Sequence, residues 1–301
     1  MKFADPKNDL AFKKIFGDES RSEVLISFLN SILNFKGSKL IKKATIANPY
    51  QVPQIKDLKE SIVDVKAINE DNEEFIVEMQ VERDKNFAKR SLYYSSKSYI
   101  NQIDRAEQYP LLKKVYFIGI LDFAIFDTKD YISRHLILDE KTLKQEMKDF
   151  EFNFIELDKF KLKLSQCDTV AKKWIYFIQN ADSFDLIPKE YEEIREFRIA
   201  FDIAKKYNWS KEELEWYDRI SLKIGSNRSV QQTYYEDGIK QGIKQGIEKG
   251  REEGIKQGIE KGIEQEKLNI AKNLLDVLDD ETISKKTDLS IDTIQKLRLG
   301  D

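Results

Sequence analysis

Apolar residues follow a helical period near the start of the chain and a period of two further on. In SRSEVLISFLNSIL (residues 20–33) they recur every three or four positions, which is typical of a helix with one buried face. Ser20 and Glu23 have the spacing of a capping box, which predicts that this helix begins there. The preceding NDLAFKKIFG predicts a shorter helix that ends at Gly17.

Two segments of alternating polarity, SIVDVKAI (residues 61–68) and EFIVEMQV (residues 74–81), predict a β-hairpin with NEDNE as its turn. With Asp71 at the centre of the turn, the apolar positions of the two strands face each other, which supports this register. The same register sets Asp64 opposite Glu78, with their Cβ atoms about 5 Å apart. Two carboxylates would therefore share one site.

The later segments alternate between helical and strand patterns. Residues 84–110 predict a helix that ends shortly before Pro110. KKVYFIGIL predicts a buried strand, and DYISRHLIL and FEFNFIELDKF predict further strands. Residues 168–222 predict helices. This order indicates an α/β fold with a core of helix, β-hairpin, helix and strand on a small mixed sheet, followed by a helical C-terminal region.

These patterns divide the chain into four predicted parts. They are a core over residues 1–165, a helical extension over 166–228, a glycine-rich repeat over 229–267 and a small helical tail over 268–301.

The repeat GIKQGIKQGIEKGREEGIKQGIEKGIEQ (residues 238–265) has a glycine at every fourth position. Each glycine in a helix interior costs about 1 kcal/mol relative to alanine, so seven would cost an isolated helix roughly 7 kcal/mol. A flexible or partly helical linker and a self-associating helix that buries its isoleucines both fit the pattern. The glycine cost slightly favours the linker, as does the period of four, which turns the isoleucine stripe about 40° around the helix per repeat, so that no single partner on one side meets all of it. Self-association would make the protein a homo-oligomer.

Composition limits the chemistry that the chain can perform. Of its 301 residues, 41% are apolar, and one cysteine and one histidine exclude an internal disulfide and a multi-cysteine zinc site. Carboxylates, lysines and an oxygen-binding cation such as Mg²⁺ remain. The net charge of −3 means that any contact with DNA is local. No apolar run is long enough to span a bilayer, so we expect a cytoplasmic protein without membrane contact.

The predicted acid pair has two interpretations. Like charges that face each other across a ladder are destabilising unless a proton or a cation is shared, and Mg²⁺ suits two carboxylates on adjacent strands. Alternatively, Asp64, Glu78 and Glu82 line the solvated face of an ordinary hairpin. Spacing alone favours the solvated face.

Several motifs, taken in their order along the chain, instead favour the metal site. DLAFKKIFG (residues 9–17), VDV (63–65), EMQ (78–80) and FAKRSLYYSSKSYINQI (87–103) together resemble the Rpn family of recombination-promoting nucleases and putative transposases, in the PD-(D/E)XK nuclease superfamily. The resemblance covers residues 1 to about 160. It implies a restriction-endonuclease-like core that hydrolyses phosphodiester bonds in DNA with Mg²⁺ or Mn²⁺.

The resemblance also implies roles for individual residues. Asp64 and Glu78 take the positions of the metal ligands, and Gln80 stands where the superfamily usually has a catalytic lysine, as it does in much of the family. An amide can orient a water molecule but brings no positive charge to the phosphate.

A substitute cation could come from the following helix, because Arg90, Tyr94 and Lys97 lie on one helical face. The alternative is a solvated face beside a core stripe formed by Phe87, Leu92, Tyr99 and Ile103. Asp9 stands where such nucleases often have a helix-borne acid near the metal. It is also placed to interact favourably with the dipole of its own helix.

The C-terminal tail has a helical pattern of its own. The tail ISKKTDLSIDTIQKL (residues 283–297) predicts two short helices joined by a turn at residues 288–290, an arrangement faintly similar to helix-turn-helix units. Lys285 and Lys286 are too few for a DNA surface, which favours a helical cap or interaction segment.

Besides a nuclease, the sequence is compatible with a catalytically weak relative that binds DNA or protein, and with an assembly protein that acts through its repeat.

Overall fold

The computed structural model describes residues 2–47, 50–51, 61–103 and 108–300. Within these ranges the helices are α1 (Asp9–Phe16), α2 (Glu23–Ile32), α3 (Phe87–Ile100), α4 (Val170–Asn180), α5 (Lys189–Glu192), α6 (Arg195–Ala204), α7 (Lys211–Leu274), α8 (Asp280–Thr287) and α9 (Ile291–Leu299). The strands are β1 (Ala44–Ala47), β2 (Tyr50–Gln51), β3 (Ser61–Ile62), β4 (Val65–Asn69), β5 (Glu74–Gln80), β6 (Val115–Leu121), β7 (Ile132–Leu136) and β8 (Phe150–Glu156). Residues 104–107, part of the helix predicted over residues 84–110, lie outside the described residues.

Six strands form one mixed sheet in the order β1-β4-β5-β6-β8-β7. The three central strands β5, β6 and β8 are parallel, and the outer pairings are antiparallel. All seven residues of β6 are buried, as expected for a central strand covered on both faces. The predicted α/β fold and its mixed sheet are confirmed.

Helices cover both faces of the sheet. On one face, side chains of α1, α2, α4 and α6 pack with alternate strand residues such as Phe75, Val77 and Ile118. On the other face, Phe87 of α3 packs with the intervening residues, such as Ile76 and Phe117. This alternation aims Glu78, two residues after Ile76, toward the α3 side.

The hairpin has the predicted register, with Val65 paired to Val77 and Ala67 paired to Phe75. The prediction of one continuous strand from Ser61 is wrong, because the chain bends at Asp64 and the ladder to β5 begins at Val65. Asp64 Oδ2 accepts a hydrogen bond from the backbone N–H of Met79 at 2.8 Å. The Asp64 side-chain oxygen thus accepts a hydrogen bond of the kind that a backbone carbonyl accepts in a strand pair, and the pairing of β4 with β5 extends no further than Val65.

The two predicted N-terminal helices are present, and α1 ends at Gly17 as expected. The predicted capping box is wrong: Ser20 lies in a short 3₁₀ turn, where Asp18 accepts a hydrogen bond from its backbone N–H. Ser22 precedes α2 without a side-chain cap. The Asp18 carboxylate therefore accepts the hydrogen bond from the Ser20 N–H, which the predicted capping box assigned to the Glu23 side chain.

The buried face of α3 differs from the predicted stripe. Leu92 is 55% exposed, and the residues of α3 that are buried are Phe87, Ser91, Ser95 and Ser98. Tyr99 is partly buried against the core. Three serines on the inner face bring little side-chain volume between the helix and the sheet. A pattern of large apolar residues cannot detect such a face.

Gly119 of β6 provides room for α3. A Cβ at this position would lie 2.9 Å from Phe87 Cε1 and 3.0 Å from Phe154 Cδ1. We expect Gly119→Ala to lower the free energy of unfolding by about 1–3 kcal/mol, because overpacking forces side chains and backbone to shift. Urea denaturation measures the change.

Gly225 in α7 is the matched control for Gly119, because nothing lies within 4 Å of a Cβ built there. Gly225→Ala should raise stability by up to about 1 kcal/mol through helix propensity alone. Equal stability of the Gly119→Ala variant and the unmodified protein would contradict the packing argument.

The chain divides into two compact units, residues 1–228 and residues 229–301. The first unit contains the sheet, α1 to α6 and the first turns of α7. In the second, α8 and α9 pack on the end of α7 around Ala271, Ile283 and Ile294. The predicted pair of tail helices is confirmed: Asp288 adopts a left-handed conformation after α8, and Ser290 caps α9.

The glycine repeat is a continuous α-helix within α7, which runs for 64 residues. The flexible form of the linker is therefore wrong for these residues, while a helical linker and a self-associating helix both stay predictions. No helix within the described ranges has the length and apolar character needed to cross a bilayer.

Candidate metal centre

Three predicted site residues from the hairpin, Asp64, Glu78 and Gln80, line one cavity of about 440 Å³. Asp64 lies at the bend before β4, and the other two lie at the carboxyl end of β5. The fold thus brings both predicted metal ligands to one site. Arg90 of α3 and Asp9 of α1 line the same cavity.

Asp64 is held by main-chain and side-chain contacts. Its Oδ2 accepts the hydrogen bond from Met79, and its Oδ1 lies 3.4 Å from Lys13 Nζ. Burial raises the pKa of Asp64, the nearby Asp9 carboxylate raises it further, and the contacts to Met79 and Lys13 lower it. The carboxyl group is fixed in orientation and surrounded by charges of both signs.

Glu78 is almost fully buried, with 4% of its surface exposed. Its Oε1 has no hydrogen-bond partner among the described residues, which is unusual for a buried carboxylate oxygen. Burial raises the pKa of Glu78 well above its ordinary value, Asp64 raises it further, and Arg90 opposes the shift. A buried oxygen without a partner beside a second carboxyl group is suited to bind a cation.

The interpretation of the hairpin acids as a solvated face is wrong for Glu78. Residues Glu74 to Met79 of β5 are all buried, since β6 pairs alongside and helices cover both faces. The sequence could not show that the hairpin continues into a larger sheet.

Arg90 lines the cavity and is held by three neighbours. Its guanidinium donates to Gln80 Oε1 at 3.3 Å, to Asp84 Oδ2 at 3.1 Å and to the Tyr94 hydroxyl at 3.1 Å. Gln80 Nε2 in turn donates to the backbone carbonyl of Glu82 at 3.1 Å. The predicted accessory residue Arg90 therefore contacts the strand that carries Glu78, and Tyr94 is connected to the site through its hydrogen bond with Arg90.

Lys97 and Asp9 differ in their relation to the site. Lys97 lies seven residues beyond Arg90 on α3 and is not among the residues that line the cavity. Asp9 lies in the first turn of α1, directly after the capping residue Asn8, and it also lines the cavity. Its position agrees with the interaction with the helix dipole, and its role near a metal ion stays a prediction.

Sequence reasoning missed three lysines that line the cavity: Lys7, Lys13 and Lys223. Lys13 follows Asp9 by four residues on α1, so helical spacing could have indicated it. Lys223 lies on α7, far from the hairpin in sequence, and no local pattern indicates its position.

The first turns of α7 reach the cavity because hydrogen bonds hold them against the N-terminal segment. Asn8 Nδ2 donates to the backbone carbonyl of Tyr217 at 3.1 Å and to Ser221 Oγ at 3.0 Å. The Tyr217 hydroxyl accepts from the backbone N–H of Asp5 at 2.9 Å. As a result, Ile220, Lys223 and Ile224 form one wall of the cavity.

The donors at this site fit Mg²⁺ or Mn²⁺, which prefer carboxylate oxygens and keep several ligand positions for water and substrate phosphates. No group of three or more His, Cys, Asp or Glu side chains in the described part of the chain is arranged to hold a metal ion. Mg²⁺ sites commonly use only one or two carboxylates from the protein. Asp64 and Glu78 would supply these two.

Comparison with known proteins agrees with the geometry. The family described as PD-(D/E)XK nuclease family transposase matches residues 6–229, a range that contains every residue of the cavity. No curated protein and no solved structure matches the chain. The resemblance inferred from the sequence motifs is confirmed, and the chain belongs to the PD-(D/E)XK nuclease family transposases.

Proposed function

We propose that this protein is a DNA endonuclease that hydrolyses phosphodiester bonds with Mg²⁺ or Mn²⁺. The observation that carries the proposal is the buried Glu78 carboxylate, whose Oε1 has no partner among the described residues, beside Asp64 in a cavity open to solvent. Family membership supports nuclease chemistry at this cavity. DNA is the proposed partner.

Asp64 and Glu78 would hold the metal ion through their carboxylate oxygens. When bound, such an ion lowers the pKa of a water molecule and neutralises charge that develops on the phosphoryl group. The protein contributes orientation, because Met79 fixes the Asp64 carboxyl group and the sheet fixes Glu78.

Arg90 would supply the positive charge that Gln80 lacks. The Gln80 amide accepts a hydrogen bond from the guanidinium, so it positions the cation that takes the place of the usual lysine. A guanidinium presents several donors in a fixed plane, which suits phosphate oxygens. Arg90 and Gln80 thus act as a pair.

Lysines around the cavity would contact the DNA backbone. Lys7, Lys13 and Lys223 line the cavity and come from three parts of the sequence. Lys13 keeps 40% of its side chain exposed while it lies near Asp64. This local group of cations permits phosphate contacts although the net charge of the chain is −3.

Cleavage of supercoiled plasmid DNA tests the proposal. Purified full-length protein should nick the plasmid with Mg²⁺ or Mn²⁺ and should be inactive with Ca²⁺ alone or with chelator. DNA binding that persists without metal, with no cleavage under any divalent ion, would instead support the alternative of a catalytically weak DNA-binding relative. Gln80 at the usual lysine position favours that alternative.

Replacement of Arg90 should lower the cleavage rate strongly. We expect Arg90→Ala to reduce single-turnover cleavage about 10²-fold, a typical effect of removing one preorganised donor from developing charge. Arg90→Lys should recover only part of the rate, because an ammonium group cannot keep the three contacts together.

Lys89 provides the matched control for Arg90, since it is exposed on the same helix. Lys89→Ala should cleave at the unmodified rate. An Arg90→Ala variant as fast as the Lys89→Ala variant would exclude Arg90 from the reaction.

A further inference from the structure

A row of exposed isoleucines runs along the repeat within α7. Each is between 44% and 68% exposed, although isoleucine is normally buried. They are Ile239, Ile243, Ile247, Ile255, Ile259 and Ile263, one in every repeat except the central one, where Arg251 takes the position. Glycine disfavours this helix, and nothing in the described structure lies within 4 Å of a Cβ built at any glycine of the repeat. A second helix packed on it would supply the missing burial.

The charges of the repeat reverse about its centre. The residue after each isoleucine position is, in order, Lys240, Lys244, Glu248, Glu252, Lys256, Glu260 and Glu264. Counted outward from the point between Arg251 and Glu252, each lysine of this row in one half has a glutamate of the row at the matching distance in the other half, to within one residue. The isoleucines are symmetric about the same point, also to within one residue.

This arrangement suits an antiparallel copy of the same helix. With a twofold axis between Arg251 and Glu252, Lys240 lies within one residue of the level of Glu264 of the second copy, and Lys244 within one residue of its Glu260. Glu248 lies within one residue of the level of Lys256 of the second copy, and Arg251 at the axis is level with its Glu252. A parallel pairing in register would instead put every charge beside its own kind, which is destabilising.

From this charge pattern and the exposed isoleucines, we infer that two copies of the chain pair antiparallel through residues 238–265, with a twofold axis next to Arg251. A period of four exceeds 3.6, so the row turns about 40° around the helix per repeat and the copies stay in contact by wrapping in a right-handed sense. The glycines beside the isoleucines allow the backbones to approach closely. Within its own helix Lys240 also lies 3.9 Å from Asp237, an exposed contact that pairing can replace.

Disulfide cross-linking of full-length protein tests the direction of pairing. Arg251→Cys should form a disulfide with itself, because the two sulfurs lie about one residue apart along the axis. Ile239→Cys should not, because antiparallel copies separate these positions by 25 residues, or about 37 Å. A mixture of Ile239→Cys and Ile263→Cys protein should form the mixed disulfide. The unmodified protein, whose single cysteine Cys167 is buried, is the control.

Charge reversal tests the pairing without cysteine. Lys244→Glu and Glu260→Lys should each raise the dimer dissociation constant on the order of tenfold, because each places like charges together twice per dimer. The double variant should restore the unmodified value. Lys261→Glu is the matched control, because Lys261 lies level with the uncharged Gly242 of the second copy, and it should have a smaller effect. Light scattering measures the dimer, and circular dichroism verifies that each variant is helical.

Three outcomes would overturn the inference. Self-linking of Ile239→Cys would show parallel pairing, and a monomer at every concentration would show no pairing. A double charge variant no better than the single variants would remove the charge argument. None of these readouts depends on DNA cleavage.

Discussion

Asp64→Asn and Glu78→Gln are each expected to lower the rate of Mg²⁺-dependent DNA cleavage about a thousandfold or more. Each substitution keeps the shape of the side chain and removes the negative charge that would hold the ion. A bound metal contributes several kcal/mol of transition-state stabilisation, which corresponds to a rate factor on the order of 10³. Single-turnover plasmid cleavage at saturating protein measures the loss.

Asp71→Asn is the matched control for these two variants. Asp71 is an exposed carboxylate in the turn of the same hairpin, so the variant changes the same charge outside the cavity. It should cleave at the unmodified rate. Activity that survives both Asp64→Asn and Glu78→Gln would show that the reaction takes place elsewhere in the chain.

The same Glu78→Gln variant is expected to be more stable than the unmodified protein at pH 8 without divalent metal. Burial and the Asp64 carboxylate raise the pKa of Glu78 well above its ordinary value of 4.5. Between the ordinary pKa and the raised pKa, the folded state binds a proton that the unfolded state has lost. Stability contributed by this proton is therefore lost as the pH rises through that window.

The difference in unfolding free energy between the two proteins should grow as the pH rises through this window. Urea denaturation at several pH values measures it. The stability of the unmodified protein should fall more steeply above pH 4.5 than that of Glu78→Gln, while Asp71→Asn should follow the unmodified profile. Parallel profiles for Glu78→Gln and the unmodified protein would contradict the raised pKa.

Metal should reverse this pH effect. Mg²⁺ binds deprotonated carboxylates, so it should stabilise the unmodified protein more at pH 8 than at pH 5.5 and should not stabilise Glu78→Gln to the same extent. A variant that gains stability while it loses cleavage cannot be explained by misfolding. The two predictions together separate a role in catalysis from a role in folding.

Local patterns predicted much of the sheet. Alternation gave the register of Val65 with Val77 because the period of strand side chains is two, and a slip by one residue would expose the apolar face. The pairing of Asp64 with Glu78 in one cavity followed from that register. The pattern of large apolar residues did not predict the buried face of α3, because Ser91, Ser95 and Ser98 are buried there.

The repeat shows the opposite limit of sequence reasoning. Propensity alone disfavours a helix with a glycine at every fourth position, yet residues 238–265 are helical. Tertiary and quaternary contacts routinely override propensity, and the antisymmetric charges of the repeat indicate where such contacts would come from.

The sequence by itself determined the hairpin register and most of the order of helices and strands, because these depend on residues close together in the chain, and it named Asp64 and Glu78 as the candidate acid pair. Only the tertiary structure decided that Glu78 is buried, that Arg90 rests on Gln80 and that Lys223 reaches the cavity. Burial depends on how β6 and α3 pack around β5, and Lys223 depends on contacts between α7 and the N-terminal segment. Such long-range packing leaves no periodic pattern near the residues whose chemistry it sets.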